Sequence, residues 1–111
     1  MSKTRSNDIK KILLSSPWAR ARGAMFRGKL GKTVLVFIYP YAAPRLFHTF
    51  FCSPLHILAL NGEGGIVFDQ IVSPNRFIQI PASRIIIESD PDTELPPLDE
   101  FRSLGQEAQP S

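Results

Sequence analysis

The run Phe47-His48-Thr49-Phe50-Phe51-Cys52-Ser53-Pro54-Leu55-His56-Ile57-Leu58-Ala59-Leu60-Asn61-Gly62 admits few folds. Aromatic and β-branched residues favour extended, half-buried backbone. Pro54 cannot donate to a central ladder, so the run breaks there. Asn61-Gly62 tolerates the positive φ of a tight hairpin. The run therefore reads as two short strands parted at Ser53-Pro54, with a polar pair, His48-Thr49, set inside the first.

The flanking sequence extends that texture. Residues 9–14 end in an apolar run and predict a short strand. Ser16-Pro17 reads as an N-cap followed by proline at the first helical position. Trp18, Ala21, Met25 and Phe26 then fall near helical spacing, so residues 17–26 predict one short helix. Gly23 weakens it, by about 1 kcal/mol relative to alanine. Residues 33–39 are β-branched and aromatic on both parities, as a strand buried on both faces requires. Residues 40–44 read as a connection, and 46–51, 55–60, 66–72, 77–80 and 84–88 as further strands or strand pieces. The expected fold is mainly β: a small sandwich or partly closed barrel of five to six short strands, with one short helix near the N-terminus.

A chain of 111 residues is one domain at most. Residues 1–8 are expected to be a disordered N-terminus and 9–89 the β-rich domain. Residues 90–111 read as an acidic, proline-broken tail, extended or disordered. Leu98, Phe101 and Leu104 could form an amphipathic turn or two there on binding. The longest apolar run near the N-terminus, Ile12-Leu13-Leu14, is too short for a signal-peptide core or a membrane span. The single cysteine, Cys52, excludes an internal disulfide, and the expected location is the cytoplasm.

The net charge of +3 hides an asymmetry. Residues 1–33 hold nine Lys/Arg against Asp8, or +8, and residues 88–111 hold seven acids against Arg102, or −6. Ends of opposite sign can attract each other or face separate partners.

The order of motifs resembles the domain-of-unknown-function 192 family. The likeness runs from Ile12 to Asp90 and rests on three elements. The first is Trp18-Ala19-Arg20-Ala21-Arg22-Gly23-Ala24-Met25-Phe26-Arg27, similar to the family's Arg-x-Arg-Gly segment ending in Arg. The second is His48-Thr49-Phe50-Phe51 with Pro54-Leu55, the apolar residues 57–60 and the Asn61-Gly62 turn. The third is Pro74 to Phe77, a Pro-x-x-Phe. Two positions depart from the pattern: His56 stands where many members place an aspartate, and Cys52-Ser53 is shorter and less bulky than the common form. The resemblance implies a compact β-rich fold and no known reaction.

The candidate contact residues follow from charge and spacing. Arg20, Arg22 and Arg27, with Lys29 and Lys32, make the densest basic cluster, and Arg20 and Arg27 lie seven apart on one side of a helix. Such a face suits an anionic ligand or nucleic acid, although arginines beside a packed helix also serve to cover apolar surface. His48, Thr49 and His56 complete the candidate binding residues. Neighbouring strand positions face opposite ways, so Thr49 is expected to cap backbone groups and His48 to lie beside any cleft. His48, Cys52 and His56 are spaced by four, but Pro54 interrupts them and no fourth ligand is evident, so no metal and no cofactor is expected. The expected role is a binding or accessory module. The alternative is a small hydrolase or other enzyme using His48 with Asp69 or Cys52.

Overall fold

The computed structural model describes residues 9–16, 20, 22–25 and 27–107. It shows a five-stranded mixed sheet of β1 (Lys10–Leu14), β2 (Thr33–His48), β3 (Leu55–Leu60), β4 (Ile66–Val72) and β5 (Phe77–Ser89), followed by one helix, α1 (Leu98–Glu107). Strand order is β1-β2-β5-β3-β4. β1 runs parallel to β2, and the other pairings are antiparallel. A parallel pair cannot be joined by a hairpin. The connection from β1 to β2 is therefore a crossover, and it carries the basic cluster.

The sheet is open and single, which corrects the expected sandwich or partly closed barrel. The reason lies in the two-sided burial of the central strands. Val34 through Tyr39 on β2 are all buried, as are Ile85, Ile86 and Ile87 on β5. One face packs Leu35, Phe37, Tyr39, Ile57, Ala59 and Ile86 against Ala24 and Leu30 of the crossover. The other packs Val34, Val36, Ile38, Leu58, Leu60, Ile85 and Ile87 against Phe101 of α1. With a cover already on each face, a second sheet has nothing left to bury.

β2 and β5 are also longer than the sequence predicts. The prolines at 40, 44 and 81 were read as connections or turns, yet the strands pass through them. The register shifts between Ile38 and Ala43 and between Ala43 and Arg45, so these prolines sit where the ladder is already irregular. Val34, Val36, Phe37, Ile57, Leu58 and Ile86 are buried, while Phe50 and Val67 are half-buried. The helix expected over 17–26 lies partly outside the described residues. Arg20 and Arg22 are helical, and 23–25 form a turn.

Within the acidic end, where the sequence predicts an extended or disordered tail, Leu98–Glu107 is helical. Asp90 is buried and accepts the Leu30 and Gly31 amides at 2.9 and 2.7 Å. Thr93 donates its hydroxyl to the Gly31 carbonyl at 2.9 Å. Lys11 pairs with Glu100 at 2.6 Å, which ties β1 to α1. In α1, Asp99 and Glu100 suit the positive end of the helix dipole, and Phe101 is fully buried. The two ends of opposite charge thus meet within the fold.

Candidate functional site

A cavity of about 460 Å³ opens between the crossover and the sheet face it covers. The crossover supplies Arg20, Arg22, Gly23 and Ala24, while β2 supplies Phe37, Tyr39, Leu46, Phe47 and His48. Cys52, from the β2–β3 loop, and Glu88, from β5, complete the lining. The crossover comes this close because residue 23 is glycine. Its φ is +50°, and a Cβ there would stand 3.0 Å from the Phe37 ring.

Glu88 is the decisive group. It pairs in register with Leu35 on β2 and Ile57 on β3, so all three face the crossover side. It is 2% exposed, and its Oε1 is buried without a hydrogen-bond partner among the described residues. Burial raises its pKa to about 8, so the carboxyl holds its proton at neutral pH. The same environment raises the Cys52 thiol to about 11, through its own burial first and the nearby Glu88 second.

Tyr39 lies between two guanidiniums, with the Arg45 carbon 3.7 Å and the Arg20 carbon 4.8 Å from its ring centroid. Desolvation raises its pKa against the opposing pull of both arginines. Arg20 also donates to the Ser15 and Ile38 carbonyls, the latter at 3.2 Å. Arg27 donates its Nε to the Gly23 carbonyl at 2.7 Å and so braces the crossover turn. Arg22 is exposed at the cavity mouth.

The other candidate residues are divided between places. His48 is half-buried in the cavity wall, and its Nδ1 accepts the Phe50 amide at 3.2 Å. That contact puts the proton of the neutral ring on Nε2. Thr49 is fully buried outside the cavity lining: its Oγ1 donates to the Ser73 carbonyl at 2.7 Å and accepts the Arg76 amide at 2.9 Å. It knots the end of β2 to the β4–β5 turn, the capping role expected of it. His56 points to the opposite sheet face, one residue before Ile57, and its Nε2 lies 2.6 Å from Asp69 Oδ1. Asp69 is therefore the partner of His56 and not of His48. Cys52 donates its Sγ–H to the Phe50 carbonyl at 3.4 Å. With that thiol held protonated, the pairing of His48 with Asp69 or Cys52 lacks an orienting carboxylate and an activated nucleophile.

Tyr39 and Glu88 escape a reading of the sequence alone. The available signal is a lone carboxylate closing Ile85-Ile86-Ile87, on the parity of the buried Ile86.

The sequence matches no protein-family model and no curated protein. Two crystal structures share the fold. One is of a "putative transcription regulator" from Sinorhizobium meliloti 1021, at 19% identity and a TM-score of 0.64, covering 72% of this chain and 67% of that one. The other is a protein of unknown function from Novosphingobium aromaticivorans DSM 12444, at 17% identity and a TM-score of 0.66, covering 74% of this chain and 63% of that one. The chain thus spans about two thirds of the length of each. At these identities the likeness concerns the fold, a small β-rich domain. No described helix is long and apolar enough to cross a membrane.

Proposed function

We propose that the domain is a binding module whose ligand is a small organic molecule with an apolar body and a polar head, held in the cavity between crossover and sheet. One observation carries this reading: a buried carboxyl, unpartnered at Oε1, lies in the lining of a cavity otherwise walled largely by aromatic and aliphatic side chains. An unsatisfied buried polar group is a standing cost to folding, of about 1–3 kcal/mol. A ligand group that met it would recover part of that. The volume suits a small molecule.

A nucleic-acid surface is less well supported, because Arg20 and Arg27 spend guanidinium donors on crossover carbonyls instead of presenting them to phosphates. The family resemblance, with its Arg-x-Arg-Gly segment at the cavity mouth, is part of the same proposal. A fragment screen followed by amide chemical shifts tests it. Binders should move the amides of Tyr39, His48, Cys52 and Glu88 together. A screen in which every binder moves residues elsewhere would overturn the reading.

A further inference from the structure

Resting on the cavity as the ligand site, we propose that the ligand is an organic oxyanion, a carboxylate or phosphate monoester on a short apolar body, and that Glu88 meets it as a hydrogen-bond donor. A buried acid invites the opposite assignment, a cationic ligand neutralising it. The groups around Glu88 decide between the two.

The crossover brings Arg20 and Arg22. β2 brings Tyr39, with Arg45 stacked on its ring, and His48. The β2–β3 loop brings Cys52, and the register neighbours on β2 and β3 are the apolar Leu35 and Ile57. Among the described residues lining the cavity, Glu88 is the one carboxyl. With its proton in place, the full charges facing the cavity are guanidiniums. The polar hydrogens are donors as well: the Glu88 O–H, the His48 Nε2–H and the Tyr39 hydroxyl. A cation would have to ionise Glu88 inside an apolar enclosure and then sit beside Arg20 and Arg22. An oxyanion needs neither step and is complementary to every donor named.

The test uses three matched probes on the whole chain: 3-phenylpropanoate, 3-phenylpropanamide and 3-phenylpropylamine, followed by amide shifts. The carboxylate should bind most tightly at a pH of about 7, at least about tenfold ahead of the amine. Between a pH of about 7 and about 9 its affinity should fall about tenfold as Glu88 gives up its proton. In Glu88→Gln, which keeps a donor without titrating, carboxylate binding should persist and that fall should vanish. Should Glu88→Gln fail to fold, the exposed Arg22→Gln serves instead, weakening the carboxylate several-fold and leaving the amide unchanged. Tightest binding by the amine, or carboxylate affinity that rises with pH, would overturn the proposal while leaving the cavity as a ligand site. If none of the three probes moves a cavity residue, the proposal falls. If a wider fragment screen is equally silent, the ligand-site reading falls with it.

Discussion

Replacing Glu88 with glutamine should make the stability of this domain nearly independent of one large pH effect. The folded-state pKa of Glu88 is raised from 4.5 to about 8, and the residue is wholly buried. Below about pH 4.5 the carboxyl is protonated in both folded and unfolded chains, and the position contributes no penalty. From there to about pH 8 the unfolded chain releases a proton that the folded chain keeps. Stability then falls with rising pH, by about 1.4 kcal/mol per unit. The accumulated loss is about 3 kcal/mol by pH 7 and levels off near about 5 kcal/mol above pH 8. Domains of this size hold only about 5–15 kcal/mol in total, so the effect is large. Glutamine keeps the shape and a donor but does not titrate. Urea melts of both proteins at about pH 5, 7 and 9 should show a stability difference that is smallest at the lowest value and widens in favour of Glu88→Gln by about 4 kcal/mol at the highest. Taking the difference removes titrations common to both chains. A difference that stays constant across the range would refute the assignment of a protonated, solvent-excluded Glu88.

Phe37 is 1% exposed in the sheet centre, so Phe37→Ala should cost about 3–5 kcal/mol in urea unfolding. Phe101→Ala should cost a similar amount, about 3–5 kcal/mol, because α1 covers the second sheet face through that ring; an unchanged melting temperature would show α1 to be dispensable. Thr49→Val should lose about 1–3 kcal/mol, since the Ser73 carbonyl and Arg76 amide lose their hydroxyl partner. In the same variant, hydrogen exchange should accelerate first in the β4–β5 turn.

Legibility differed sharply along the chain. β3 and β4 occupy the residues predicted for them, because Pro54, the Asn61-Gly62 turn and Pro74 punctuate them locally. Thr49 was legible as a backbone cap because a β-branched hydroxyl in an aromatic run has few other uses. The full lengths of β2 and β5 were not legible, since prolines that normally end a strand are absorbed here at register shifts. Nor was α1, whose acidic, proline-preceded sequence resembles a solvated tail. It is held by Phe101 reaching the far sheet face and by Asp90 finding the Leu30 and Gly31 amides, sixty or so residues earlier in the sequence. The cavity was half visible. Arg20, Arg22 and His48 were named from charge and pattern, but Glu88 was counted with the acidic end, and only the pairing of β5 between β2 and β3 turns it inward. His56 and Asp69 were both noticed, but the sequence could not show that they face each other on the side away from the cavity.

Ligand recognition here turns on the cavity carrying a neutral carboxyl at physiological pH. The direct measurement is the side-chain carboxyl 13C resonance of Glu88, assigned by its loss in Glu88→Gln and followed across a pH range of about 4 to 10. A midpoint near 8 is expected, moving upward when 3-phenylpropanoate is bound, because the anion favours the protonated donor. A midpoint between about 4 and 5, the range of a solvated glutamate, would contradict it.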